Sequence, residues 1–382
     1  NRKIQNQREE AFARFMDATN HLEIHSPSPG GLESQHPYQN VSAAFSFLDS
    51  RPRDKPFFLW LSFAEPHNPY QVPEPYFDLF PPEQLPPVHA GPEILGDKGH
   101  RFLWLRKIWE QVLGPDIEGR ILRARSNYHG MLRLIDDQFK RFIQGLESRG
   151  LGEDTLVLFL SDHGDFAGEY GLIRKGTDLP EILTRIPFVW RGPGIKPRGT
   201  LREACVNIVD IFPTICDIIG REVPFGVQGK SILPLLAGEE IPEKEFDLAY
   251  SESGFGGLYW DEKDSLDLVK EGAGKVFSPG GPPATFDCLN SWTQCGQVRM
   301  LRKGPYKIQV DMLGAGYLYD LDRDPVELHN LFGDPAYLAV KADMLTELAA
   351  AILRACDPIP PPRRRYHVKA HPRGYWFQEY HC

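Results

Sequence analysis

The sequence predicts an α/β fold with a mostly parallel central sheet, followed by a small C-terminal α+β unit built on an antiparallel sheet. Three observations predict it. Residues 57–63 and 155–161 are continuous apolar runs that read as strands buried on both faces, and each empties into a polar loop. Between them, residues 119–149 carry apolar side chains at helical spacing. After Gln297, three short strand-like segments separated by turns precede an amphipathic helix over 336–355. Strand, helix and strand in succession is the rhythm of an α/β protein.

Taken in order, residues 3–18 read as a short helix, 26–39 as a Pro/Gly/Ser-rich loop, and 41–50 as another helix. A proline-rich excursion follows the first strand over 71–92, and the whole of 71–118 reads as long loop. The 119–149 helix presents Leu122, Tyr128, Leu132, Ile135, Phe139, Phe142 and Leu146, and Gly150 and Gly152 mark its end. Residues 186–190 suggest a further strand. Residues 205–220 suggest a helix interrupted at Pro213, and 224–240 a linker. The three late strands are 298–301, 306–310 and 316–320. This divides the chain into a main domain over 1–250, a loop region over 251–295, a small sheet-and-helix unit over 296–357, and a tail over 358–382 with a basic Arg363-Arg364-Arg365 cluster.

Composition excludes some classes. The 382 residues are 41% hydrophobic, ample for a large core, and carry a formal charge of -9. That balance argues against a general nucleic-acid binder, but not against a small anionic substrate held in a local basic pocket. No run reaches the ~18–20 apolar residues that span a bilayer. None of the six cysteines forms a CxxC pair, so the spacing of a structural zinc site is missing. Cys205 and Cys216 read as buried small hydrophobes, while Cys288 and Cys295 are close enough for a short-range disulfide.

Chemistry is concentrated where the two apolar runs end. Asp162-His163 follows the second, at the strand edge where ligands of open α/β sheets gather. A carboxylate and an imidazole there can both face a divalent cation, and Gly164 lets the chain turn beside them. Lys175 lies about a dozen residues on, after glycine-permitted turns, where its ammonium could hold an anionic oxygen. His67 leaves the first run between Pro66 and Pro69, which restrict the backbone around an imidazole able to donate to a substrate or leaving group. Each alone is matched by an ordinary surface or capping role. Together they suit a phosphate- or sulfate-like dianion beside a metal. They identify no nucleophile.

With these pieces in hand the chain resembles the sulfatase family of alkaline-phosphatase-like hydrolases. The matching segments are ordered and spread along the chain: Pro66-His67-Asn68-Pro69-Tyr70, the helix around Tyr128 to Asp136, the run from Thr155 through Gly171 to Lys175, Val209-Asp210-Ile211-Phe212-Pro213-Thr214, Arg299 through Lys307, and Leu318-Tyr319-Asp320 through Asn330-Leu331. The resemblance implies an alkaline-phosphatase-like sandwich and hydrolysis of sulfate esters, with a sulfated carbohydrate or aryl sulfate as substrate. It implies Asp162 as a ligand of one divalent cation, usually calcium, and His163 in the neighbouring ligand position. It implies His67 and Lys175 as sulfate-binding and leaving-oxygen groups, and a secreted, periplasmic or lysosomal setting.

The family's nucleophile is a formylglycine made from a cysteine or serine in a Cys/Ser-x-Pro-x-Arg motif, placed with an Asp-Asp metal pair well before the Pro-His loop. No cysteine precedes His67, and Ser26-Pro27-Ser28-Pro29 lacks the arginine. The formylglycine is therefore expected on a segment outside these residues, such as an N-terminal fragment of the same protein. Two other readings stand beside the first: a phosphate or phosphonate ester hydrolase on the same scaffold, and an inactive anion-binding relative.

Overall fold

A computed structural model describes residues 2–18, 24–176, 178–197, 204–224, 226–254, 296–356, 364–365, 368–369 and 372–375. They fall into two compact units. The first takes in Asn1–Asp154 and Asp165–Gly176; the second takes in Thr155–Gly164, Thr177–Tyr259 and Thr293–Cys382. Residues 255–295, with Cys288 and Cys295, the 358–362 proline run and Arg363 lie outside the described residues.

The first unit is helical. It contains α1 (Arg2–Ala18), α2 (His36–Ser50), α3 (His100–Leu113) and α4 (Ile117–Ser148). Val41, Ala44 and Leu48, at spacings of three and four, form the buried stripe of α2. α2 packs on α4, where the Phe45 and Phe142 rings stack at 6.2 Å. Gly145 makes room for this: a Cβ there would sit 2.1 Å from Phe45 Cε1. The buried stripe of α4 includes Ile121, Ala124, Met131, Leu134, Ile135, Phe142 and Leu146. Leu122 and Leu132, which the sequence placed in that stripe, stand exposed one position off it. Helix α3 replaces part of the predicted 71–118 loop. Leu105, Ile108 and Trp109 are buried at helical spacing, a signal hidden by the prolines before it.

The first apolar run is not a strand buried on both faces. Residues 57–63 carry no strand or helix and are paired in no ladder, and Phe58 and Trp60 are 77% and 78% exposed. Hydrophobicity suggests a strand; it does not say whether a neighbouring strand is there to cover it.

In the second unit, β1 (Val157–Leu160) pairs with β2 (Phe188–Arg191), Val157 opposite Arg191 and Leu160 opposite Phe188. The pairing is antiparallel, so among the described residues the expected parallel ladder does not occur. Short helices follow: α5 (Glu181–Thr184, between the two strands), α6 (Ile211–Ile218) and α7 (Leu233–Ala237). Pro213 does not interrupt a helix. It is the third residue of α6, in the first turn, where no intrahelical N–H bond is needed. The 224–240 segment is more than a linker, since Ile232 and Leu235 are buried with Trp190, Phe246 and Tyr375.

The C-terminal antiparallel sheet is present and has one strand more than predicted, in the order β3 (Leu248–Ser253), β4 (Val298–Lys303), β5 (Tyr306–Asp311) and β6 (Gly316–Asp320). One face buries Leu301, Ile308 and Leu318 completely against Met344, Leu348 and Ala351 of α8 (Leu338–Ala355). Each of those three sheet residues contributes about 1.5–3 kcal/mol by leaving water. Cys205, Cys216 and Cys356 are free thiols; Cys216 is buried and Cys205 partly so. Among the described residues no helix is long and apolar enough to cross a membrane.

Candidate functional site

The second unit carries Asp162 and His163 on the loop leaving β1. Ser161 Oγ donates to His163 O at 2.5 Å, and His163 N donates to Asp162 Oδ1 at 2.9 Å, so the turn is closed by its own polar groups. His163 Nδ1 lies 2.8 Å from Gly164 O. A carbonyl has no proton to give, so Nδ1 carries a hydrogen and the ring turns Nε2 toward Asp162. That nitrogen is 3.5 Å from Asp162 Oδ2. Two electron-rich atoms held this way repel each other unless a proton or a cation lies between them. A backbone carbonyl taking the other ring N–H is the usual support of a metal-binding histidine. The pair thus fits two ligands of one divalent cation. It is short of a full set, and among the described residues no group of three His, Cys, Asp or Glu side chains could hold a metal.

Gly164 has a role different from the one predicted. It is absent from the positive-φ glycines, so it supplies space and not a special turn. Its N–H donates to Leu183 O of α5 at 2.9 Å, and a Cβ would lie 1.9 Å from Ile182 O. Gly164→Ala must push backbone away from backbone and shift the Asp162-His163 loop. In the metal-loaded enzyme it is expected to weaken cation affinity about 10–100-fold. Chelator competition measures this; an unchanged affinity would show that α5 does not position the pair.

The first unit carries His67 and Lys175. His67 N donates to Ala64 O at 3.0 Å, and Nδ1 of its exposed ring lies 2.7 Å from Asn68 O. Three residues on, Tyr70 is buried. Asn127 of α4 donates to its carbonyl at 2.7 Å. The Tyr70 hydroxyl donates to Asp165 Oδ2 at 2.8 Å and accepts from Arg174 N at 3.1 Å. Asp165 Oδ1 accepts from Ala167 N at 2.8 Å and from Arg174 N at 3.0 Å. Arg174, the residue before the half-buried Lys175, is held with φ 63. The loop bearing His67 and the segment bearing Lys175 are therefore fastened through the Tyr70 hydroxyl, both directly to Arg174 N and by way of the Asp165 carboxylate.

Burial pushes the Asp165 carboxyl up to about 6, against the opposing pull of its backbone and Tyr70 hydrogen bonds. Burial and the nearby Asp165 charge likewise raise the Tyr70 and Tyr128 phenols. The family-like segments contain Tyr70, Asp165 and Arg174, but nothing in the sequence gives them a task. A tyrosine directly after Pro69, and a carboxylate directly after His163-Gly164, were the available signal.

The structure thus brings Asp162 to His163, and joins the loops of His67 and Lys175. The arrangement offers two neighbouring ligand groups for a cation in one unit, and an imidazole and an ammonium on two fastened segments in the other. The sulfatase family model matches residues 6–221. An arylsulfatase of Clostridium perfringens is 30% identical over 305 residues, 77% of this chain and 59% of the relative. A multifunctional alkaline phosphatase superfamily protein of Trinickia caryophylli is 28% identical over 87% of this chain and 61% of its own. The chain thus spans about three-fifths of the length of these curated relatives. The crystal structure of a phosphonate monoester hydrolase of Agrobacterium radiobacter superposes with a TM-score of 0.71 at 26% identity, covering 95% of this chain and 73% of that one. Matched by its family model over more than half of its residues, the chain belongs to the sulfatase family.

Proposed function

We propose that this chain is the larger part of a sulfate ester hydrolase, acting on an aryl sulfate or a sulfated carbohydrate. The observation that carries the reading is the Asp162–His163 pair at the end of β1, with the imidazole Nδ1 turned to Gly164 O. The family membership supports the chemistry: sulfatases work with a divalent cation and a formylglycine nucleophile. When bound, the cation withdraws charge from sulfate oxygens and the formylglycine supplies the attacking oxygen. The residues of this chain do the rest. Lys175 binds the anionic oxygens. His67, as imidazolium, holds Nδ1–H on Asn68 O and gives the Nε2 proton to the departing alcohol oxygen.

Calcium is the proposed cation, on the strength of the hard Asp162 oxygens; the His163 imidazole suits manganese or zinc better. The test strips the enzyme from its natural source with a chelator and refills it with calcium, manganese or zinc. Recovery of aryl sulfate hydrolysis with calcium is expected. Recovery with manganese alone would replace the cation, and activity that survives stripping would sink the metal role of Asp162 and His163. A second reading, a phosphonate ester hydrolase, is favoured by the imidazole at 163 and by the likeness to the phosphonate monoester hydrolase.

A further inference from the structure

β5 uses its two faces differently. Tyr306, Ile308 and Val310 pack into the core that the sheet shares with α8. Lys307 and Gln309, at the alternate positions, point to the opposite face and are buried there, at 1% and 6% exposure. Polar side chains are costly to bury unless they find partners. Both find them in one segment, residues 178–184. Gln309 Nε2 donates to Asp178 Oδ1 at 2.6 Å, and Gln309 Oε1 accepts from Leu179 N at 2.7 Å. Asp178 is buried too. Two residues further on, Lys307 Nζ lies 3.1 Å from Glu181 Oε1, and Glu181 N donates to Glu327 Oε2 at 2.8 Å. α5 is only four residues long, a single turn that its own hydrogen bonds do not sustain. Its place is set by what grips the residues that lead into it, and the planar amide of Gln309 grips two of them at once.

The far end of α5 meets the loop of the proposed cation ligands. Leu183 O accepts from Gly164 N at 2.9 Å, and the absence of a Cβ on Gly164 leaves room for Ile182 O. Gly164 O in turn lies 2.8 Å from His163 Nδ1. All of these residues belong to the second unit. We propose that Gln309 is a positioning residue for the Asp162–His163 pair: it fixes where α5 stands, and α5 fixes the Gly164 backbone that orients both ligands. Gln309 touches neither ligand. The C-terminal sheet thereby has a part in cation affinity, besides its own stability. The inference rests on the metal role proposed for Asp162 and His163.

Calcium binding to the complete protein tests it, measured by chelator competition on stripped parent and variants under conditions where urea curves show each to be folded. Gln309→Glu sets a carboxylate against Asp178 and is expected to weaken calcium binding about 10-fold. Gln309→Glu combined with Asp178→Asn reverses the polarity of the bond. The new amide donates to the new carboxylate, and Leu179 N keeps its acceptor, so affinity should return to within about 2-fold of the parent. Hydrogen exchange on the stripped proteins adds a readout free of metal: Gly164 N–H should exchange faster in Gln309→Glu while the β5 ladder stays protected. Should Gln309→Glu fail to fold, Gln309→Met, similar in volume and uncharged, takes its place in both measurements. Parental calcium affinity in a folded Gln309 variant overturns the inference and leaves the metal pair standing. So does loosening of Gly164 only together with the whole of β5. Calcium held as tightly by Asp162→Ala as by the parent overturns the metal role, and the inference with it.

Discussion

Replacing Lys307 with methionine is expected to destabilise the second unit by about 3–5 kcal/mol, because it strips a buried charge cluster of its central cation. Lys307 lies on β5 and is 1% exposed. Its Nζ is 3.1 Å from Glu181 Oε1 and 2.9 Å from Glu327 Oε1. Arg302 reaches the other Glu181 oxygen at 3.0 Å, and Glu181 N donates to Glu327 Oε2 at 2.8 Å. Two glutamates face two cations, with Glu327 buried and held at a positive φ of 56. Without Lys307 the buried Glu327 charge keeps no cation at contact distance. Lys307→Met with Glu327→Gln should recover part of the loss, since the amide oxygen can still accept from Glu181 N while the unpaired charge is gone. The urea midpoint measures both. A single variant as stable as the parent would mean that the cluster does not hold α5 to the sheet.

The second large effect is on catalysis. In the active enzyme, Lys175→Ala is expected to lower kcat/KM for a sulfate ester about 10²–10³-fold, the range for losing a group that stabilises charge in the transition state. Asp165→Ala removes no group that touches substrate. It removes the acceptor of the Tyr70 hydroxyl and of the Ala167 and Arg174 amides at once, leaving only the Arg174 N–H on the Tyr70 oxygen, and so loosens the tie between the His67 loop and the Lys175 segment. A displacement of about 1 Å there costs roughly 10²-fold. Tyr70→Phe cuts the hydroxyl's two bonds but leaves the Ala167 and Arg174 amides on Asp165, and should cost less. Steady-state kinetics on the three variants check the order. If Asp165→Ala were neutral, the two anion-binding residues would be positioned independently.

The sequence disclosed the local order of this molecule better than its long-range fastening. The thirty-two residues of α4 and the strands of the C-terminal sheet were legible because periodicity is a property of neighbours in the chain. Asp162, His163 and His67 stand out as candidates because they follow apolar runs, and Lys175 because it matches a family pattern. The Tyr70–Asp165 bond joins residues 95 positions apart, and the Lys307–Glu181 bond residues 126 apart. No spacing rule announces such pairs. The 57–63 run shows the complementary limit. Seven residues rich in Phe, Leu and Trp suggest a strand, but whether a neighbour covers it is not encoded in the segment itself.

The most direct test of a sulfate ester hydrolase is competition between substrates on one preparation. The metal-loaded enzyme from its natural source is assayed with p-nitrophenyl sulfate and with the p-nitrophenyl ester of phenylphosphonate, and the two kcat/KM values are compared. A larger value for the sulfate, lost in Lys175→Ala and in Asp162→Ala, is the predicted result. A larger value for the phosphonate, or turnover of neither ester, would contradict it.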